Sequence, residues 1–200
     1  MAVTSVLIAG VGGQGVVLAS ELLALAAMAA GHDVKQGEFH GVAQRGGAVF
    51  SHVRFGDKVH SPVAPRASVD YLLALEKLEA LRYAHYVKPG GTIVVNDHEV
   101  EPIRIADERP YPDDAIEFLE GKGFNVLALE ATEQAVVLGN HRAANVVMLG
   151  ALAAALDIAD EVWAQTLDQR IPERFSSLNR DAFAAGLEAA SSQVGTAELQ

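Results

Sequence analysis

The chain has 200 residues, enough for one α/β domain with its own core. Its net charge is -11, with no run of Lys or Arg, which argues against nucleic acid or an anionic membrane surface as partner. It contains no cysteine, which excludes disulfides, thiolate nucleophiles, Cys-bound zinc and iron–sulfur ligation by this chain.

Residues 3–9 form an apolar, β-branched run that predicts a buried strand. Residues 16–30 predict a helix that is apolar nearly all round and therefore buried, with Gly31 as its C-terminal stop. The first thirty residues carry one charge, Glu21, but no positive leader, and Gly10, Gly12, Gly13 and Gly15 break the run. A strand and a helix are expected there, not a signal peptide or a membrane span, and a cytoplasmic protein. A second strand is predicted at 34–39, then a loop at 41–47, then a strand at 48–55. "GDK" at 56–58 reads as a turn before 59–61, which predicts a local antiparallel hairpin and a mixed sheet. Further strands are expected at 69–75, 92–96 and 125–129. Helices are expected at 77–87, stopped by Pro89-Gly90-Gly91, and at 113–122. Residues 102–112 read as a surface excursion rich in proline and charge. Only helices follow residue 129, at 132–138, 144–156, 160–171 and 172–190, with Met28 and Met148 both assigned to the core. The expected architecture is three-layer α/β/α, Rossmann-like, with a mixed, mostly parallel sheet and a C-terminal helical segment. It forms a single domain over 1–190, with a flexible tail at 191–200.

"IAGVGGQGVVLAS", Ile8 to Ser20, fits G-x-G-x-x-G through Gly10, Gly12 and Gly15 in the strand–turn–helix setting that dinucleotide sites use. The other half of that signature, an acid at the end of the next strand, is missing. Asp33 is at the wrong end, Gln36 stands near the expected place, and Glu38 comes late. The turn therefore reads either as a phosphate- or partner-binding backbone nest or as close helix–sheet packing. Arg45, followed by Gly46 and Gly47, offers a planar fork of donors suited to carboxylate or phosphate, on a backbone free to bend. The bland alternative is an arginine that bonds loop carbonyls or Glu38. His40 and His52 flank this loop without metal-ligand spacing. His40 reads as an active-site polar group or as an ordinary hydrogen-bonding histidine. Asp97, His98 and Asn145 have capping or buried hydrogen-bonding roles by default.

"GVGGQG", "EFHGVAQRGGAVFSHVRFG", "ALEKLEALRY", "GGTIVVND" and "NVVMLGAL" together resemble the gamma subunit of the 2-oxoacid:ferredoxin oxidoreductases, from about Val3 to about Leu187. "HG-x-x-QRGG" makes the chain most similar to the indolepyruvate type, with Val42 and Ala43 a mild variation. The resemblance implies a small subunit in oxidative decarboxylation of an aryl pyruvate to acyl-CoA, with electrons passed to ferredoxin. It implies a larger alpha subunit that carries thiamine diphosphate, Mg2+ and iron–sulfur clusters, with coenzyme A as co-substrate and no cofactor bound by this chain alone. No Gly-Asp-Gly run of the thiamine type occurs here. His40 and Arg45 are then the expected catalytic side chains. Gly10, Gly12, Gly13, Gln14, Gly15, Gln44, Gly46 and Gly47 are expected to face the cofactor or coenzyme. The competing reading is a stand-alone Rossmann-like nucleotide-binding or regulatory module.

Overall fold

The computed structural model describes residues 3–40, 47–100 and 111–197, and its first strand, β1 (Thr4–Val11), lies inside a six-stranded sheet. Successive residues of β1 point to opposite faces, as a pleated strand requires. Val6 and Ile8 enter one apolar cluster while Leu7 and Ala9 enter another, and all four are fully buried. A strand buried on both faces shows no polar alternation, which is why this one reads as a continuous apolar run.

After β1 the chain turns through glycines into α1 (Val16–Ala29) and comes down as β2 (Asp33–His40). It returns as β3 (Ala48–Gly56), which lies antiparallel between β2 and β1. β4 (Val69–Ala74) then starts the other side of the sheet, parallel to β1, followed by α2 (Lys77–Tyr83) and β5 (Val87–Asn96). α3 (Ala115–Gly121) leads to β6 (Asn125–Leu129) at the edge. The strand order is β2-β3-β1-β4-β5-β6. Four helices follow: α4 (Ala131–Val137), α5 (Ala144–Ala153), α6 (Asp160–Arg170) and α7 (Glu173–Ala197). Side chains of α1, α5, α6 and α7 fill one face of the sheet, and those of α2 and α3 cover part of the other. This is the expected three-layer α/β/α arrangement with a C-terminal helical segment. No helix of the described residues is long and apolar enough to cross a membrane.

Several local expectations give way to tertiary partners. The hairpin at Asp57 does not form. The sheet is mixed because β3 inserts between β2 and β1, while Val59 is pinned to Asp33 by an N–H to carboxylate bond of 2.9 Å. The helix expected at 77–87 ends at Tyr83 and tightens into a single 3-10 turn, Ala84–Tyr86. Pro89, Gly90 and Gly91 then lie inside β5, where the β4–β5 register shifts. The apolar surface of α1 is not all buried. Met28 is 59% exposed, unlike fully buried Met148, and Val17 and Leu25 also reach solvent. The last helix runs on to Ala197 instead of ending at 190.

α5 and α7 meet backbone to backbone. A Cβ placed on Gly186 would sit 1.9 Å from the Val147 carbonyl oxygen, and one on Gly150 would sit 2.1 Å from the Phe183 carbonyl oxygen. No side-chain rotation relieves either clash, so the helices must part. Gly186→Ala is therefore expected to destabilise the fold by about 1–3 kcal/mol in urea unfolding. Gly121→Ala, whose added methyl meets nothing within 4 Å, is expected to be neutral or slightly stabilising. Equal effects of the two substitutions would contradict the close crossing.

Candidate functional site

From β1 the chain passes through α1 to β2 and β3 on one side, then crosses to β4 on the other, so the direction of strand addition reverses around β1 and its carboxyl end is a topological switch point. The glycine turn sits there. Gly10 is still in β1, and a Cβ on it would lie 2.9–3.1 Å from the Gln14 Oε1, Val16 Cγ2 and Leu75 Cβ atoms. Gly12 donates its N–H to the Gly47 carbonyl at 2.9 Å, which ties the end of the 41–47 connection to the turn. Gly13 and Gly15 take φ of +107° and +87°, a region that glycine enters without strain. Among the described residues neither the Gly13 nor the Gly15 amide has a backbone partner. The turn opens at the N-terminus of α1, where unpaired amides and the helix dipole favour an anion.

Side-chain amides hold this geometry. Gln14 accepts from Val11 N–H at 2.7 Å and donates to the Leu75 carbonyl at 3.1 Å, bridging the ends of β1 and β4. Asn96, at the end of β5, donates to the same carbonyl at 3.2 Å and to Thr132 Oγ1 at 2.9 Å. Its Oδ1 accepts from the Ala131 amide at the start of α4. Asn145, on the first turn of α5, donates to the Gly15 carbonyl at 3.2 Å, and its buried Oδ1 has no partner among the described residues. A Cβ on Gly15 would come within 2.4 Å of Asn145 Nδ2. The cleft these groups enclose has a volume of about 350 Å3 and is lined by Gly13, Gln14, His98, Thr132, Arg142 and Asn145, among others.

The expected ribose-binding acid has no place in this topology. β2 is separated from β1 by β3, so its end lies two strand spacings, about 10 Å, from the glycine turn. Gln36 turns instead to Ser20 Oγ on α1 at 2.9 Å, and Asp33 bonds Lys35 and Val59, contacts that hold its carboxyl down at about 2.

The structure thus brings together Gly10, Gly12, Gly13, Gln14, Gly15 and Gly47. His40 is the last residue of β2, opposite Val49. Gln44, Arg45 and Gly46 lie outside the described residues, as does most of the 102–112 stretch. Asn145 is a buried hydrogen-bonding residue, one of its two default readings. Asp97 pairs with Lys77 at 3.0 Å. Asn96 and Glu76 were not singled out from sequence. The only signal for either was its position just past an apolar strand.

Glu76 is fully buried at the end of β4 and caps α2 by accepting from the Leu78 and Glu79 amides and from the Tyr111 hydroxyl. Glu79 is 2% exposed, with Oε1 on Arg82 Nε at 3.0 Å and Oε2 unpartnered among the described residues. Burial pushes its carboxyl up to about 7, opposed by Arg82 and reinforced by Glu76. On β3, His52 is buried against the Phe39, Phe50 and Tyr86 rings. That burial, with Arg54 adding to it, holds His52 neutral by pulling its pKa down to about 4.

The Glu79 shift has a pH consequence. Its folded pKa lies above the unfolded value of 4.5, so between about 4.5 and 7 the folded chain keeps a proton that the unfolded chain has lost. The contribution is fully present below 4.5 and is lost as pH rises through about 7. Glu79→Gln is expected to flatten this part of the stability–pH profile and to stabilise the chain at pH 8 by on the order of 1–3 kcal/mol. Parallel profiles for the two proteins in denaturant titrations from pH 4 to 8 would show that Glu79 titrates normally.

The sequence profile described as "Pyruvate ferredoxin/flavodoxin oxidoreductase" matches residues 5–189. The chain is 34% identical over 197 residues to the indolepyruvate oxidoreductase subunit IorB of Thermococcus kodakarensis, covering 96% of this chain and 98% of that protein. It is 36% identical over 192 residues to the subunit of the same name from Pyrococcus horikoshii, covering 93% and 95%. The crystal structure of the keto/oxoacid ferredoxin oxidoreductase gamma subunit from Geobacter sulfurreducens is similar with a TM-score of 0.72 and 28% identity, over 94% of this chain and 99% of that one. With the glycine turn at the switch point of the same fold and the profile matched almost end to end, the chain belongs to the pyruvate ferredoxin/flavodoxin oxidoreductase family.

Proposed function

We propose that this chain is the small subunit of an indolepyruvate-type 2-oxoacid:ferredoxin oxidoreductase, and that its glycine turn receives the phosphate end of coenzyme A. The observation that carries the coenzyme reading is the pair of amides, Gly13 and Gly15, that have no backbone partner among the described residues, at the N-terminus of α1 beside Arg142 in a cleft of about 350 Å3. A phosphate there meets backbone N–H donors, a helix dipole and a guanidinium together. The aryl pyruvate substrate rests on the names of the relatives.

The residues present do not fit the redox cofactors that such a reaction uses. The chain has no cysteine to hold a cluster, and the described residues contain no group of three or more His, Asp or Glu placed to bind a metal. It has no Gly-Asp-Gly run. A larger partner subunit therefore holds thiamine diphosphate, Mg2+ and the iron–sulfur clusters in this reading, and ferredoxin receives electrons through that partner. The work of this chain is to bind, orient and cover. The amides Gln14, Asn96 and Asn145 fix the turn without titrating, so its geometry holds across physiological pH. Arg45 and His40 remain proposed as the groups that face the reaction, Arg45 because its fork matches a carboxylate or phosphate.

The reading is tested by co-expressing this chain with its larger partner and assaying dye reduction by an aryl pyruvate. The isolated chain is expected to be inactive and the complex active. Gly15→Ala forces a methyl against Asn145, so in the complex it is expected to raise the KM for coenzyme A at least about tenfold, near 1.4 kcal/mol, with the KM for the 2-oxoacid unchanged. Arg45→Ala and Arg45→Lys are both expected to cut turnover at an unchanged thermal midpoint. An unaltered KM for coenzyme A in a folded Gly15→Ala complex would remove the coenzyme assignment. Activity of the isolated chain would remove the subunit assignment.

A further inference from the structure

A second cavity lies on the far side of Asn145 from the glycine turn, where α1, the 3-10 turn His141–Ala143 and the α6–α7 junction meet. Its volume is about 260 Å3. Leu18, Ile171, Phe175 and Leu178 make an apolar wall, and Arg142 and Arg170 stand among the lining residues. We propose that this cavity binds a small carboxylate with a flat apolar body, such as an aryl acetate, at a site distinct from the glycine cleft.

Three observations converge on that chemistry. The first is charge. The chain carries 26 acidic against 15 basic residues, and most lysines and arginines among the described residues have an acidic partner. Lys77 pairs with Asp97 and Glu99, Lys88 with Asp70, and Arg180 with Asp168. Arg170 itself is tied to Glu21. Among the described residues the Arg142 guanidinium has no acidic partner. In so acidic a protein, that leaves it, with Arg174 over the Phe175 ring, as the local attraction for an anion, and its planar fork takes a carboxylate in two hydrogen bonds.

The second observation is the wall. Phe175 is 40% exposed although it borders an apolar cavity, and Arg174 lies 4.7 Å from its ring centroid. Removing more of that ring from water against a flat ligand is favourable by about 25 cal/mol per Å2 of apolar surface. Stacked aromatic geometry suits a flat partner better than a branched one. The cavity is too small for a nucleotide-sized molecule and matches one ring system with a short acidic arm.

The third is Asn145. It lines both cavities, it holds Gly15 from one of them, and its Oδ1 is buried without a partner among the described residues. With its Nδ2 committed to the Gly15 carbonyl, Asn145 is a fixed wall between the two cavities, which leaves the Arg142 fork as the polar group a ligand carboxylate meets. The site shares Arg142 and Asn145 with the glycine cleft, while its apolar wall, Leu18 of α1 with Ile171, Phe175 and Leu178 of the α6–α7 junction, is made of residues the coenzyme reading does not use.

The test uses the full chain and indole-3-acetate as probe, followed by calorimetry and by saturation-transfer NMR. Saturable one-to-one binding with a Kd below about 1 mM is expected. Indole-3-acetamide, which keeps the ring and loses the charge, is expected to bind at least about tenfold more weakly, and acetate, which keeps the charge and loses the ring, equally so. Arg142→Gln, an exposed substitution, is expected to weaken indole-3-acetate binding by a similar factor, and Phe175→Ala to weaken it without altering turnover of the assembled complex. Absence of saturation overturns the proposal, as does equal binding of acid and amide to the native chain. The ligand comparison needs no variant, so it decides the matter even if a substitution disturbs folding. Unchanged affinity in folded Arg142→Gln also overturns it.

Discussion

The carbonyl of Leu75 is the point on which the carboxyl end of the sheet depends. It is the last backbone acceptor at the end of β4, where the ladder can no longer supply a donor, and two side-chain amides converge on it. Gln14 reaches it from the glycine turn and Asn96 from the end of β5. The Leu75 N–H meanwhile donates to Ala9 at 2.8 Å, so β4 stays bonded to β1 up to its last residue. Buried backbone groups without partners cost about as much as a lost hydrogen bond, and strand ends beside a crevice are where such groups accumulate. Here they are matched by neutral amides, each of which both donates and accepts. The result is a rigid frame at the mouth of a cleft.

The same frame sets how the C-terminal helices contribute. α5 starts beside the glycine turn, and Asn145 on its first turn is what grips Gly15. α5 can be placed so close only because its other side is clasped by α7 through Gly150 and Gly186, which let the two backbones touch. The long terminal helix is thus part of the site at one remove. Loosening the α5–α7 crossing moves Asn145, and moving Asn145 frees the turn.

These dependencies explain what could be read in the sequence. The strands at 3–9, 48–55 and 125–129 and the glycine turn were legible because each rests on a local pattern: an apolar run, an alternation, or a set of residues free to take positive φ. Asp57 misled because a turn signal does not say whether a partner strand follows, and here Val59 is bonded to Asp33 instead. Pro89-Gly90-Gly91 misled because it marks a break in pairing register within β5 and not the end of a helix. Met28 reads as core in any window of α1, yet α1 is covered on only part of its circumference and Met28 falls on the uncovered part. The clamp between Asn145 and Gly15 joins positions 130 residues apart, and no local window contains it. That Arg142 has no acidic partner among the described residues was illegible for the same reason, since pairing is a property of the folded charge set.

The uneven layers carry one more consequence. α2 and α3 cover the sheet face over β4 to β6, but no helix among the described residues covers that face of β2 and β3. Rings do so instead, beside the 59–64 segment. Phe39 stacks on Phe50 at 5.0 Å, Phe50 meets Tyr83 at 4.8 Å, and His52 is enclosed edge-on by Phe39, Phe50 and Tyr86. A layer of rings is thinner than a helix and leaves Phe39 36% exposed at the rim. It also keeps His52 neutral, because a charged imidazole in that setting would lose its hydration and gain only the repulsion of Arg54. The face over β2 and β3 is therefore apolar and neutral toward the 41–47 connection, at Phe39, Phe50 and His52, and charged toward its far end, where strand alternation puts Asp33, Lys35 and Arg54 on the same side. Inserting β3 between β2 and β1 widens the sheet by one strand without adding a crossover helix, so rings and the 59–64 segment close the gap.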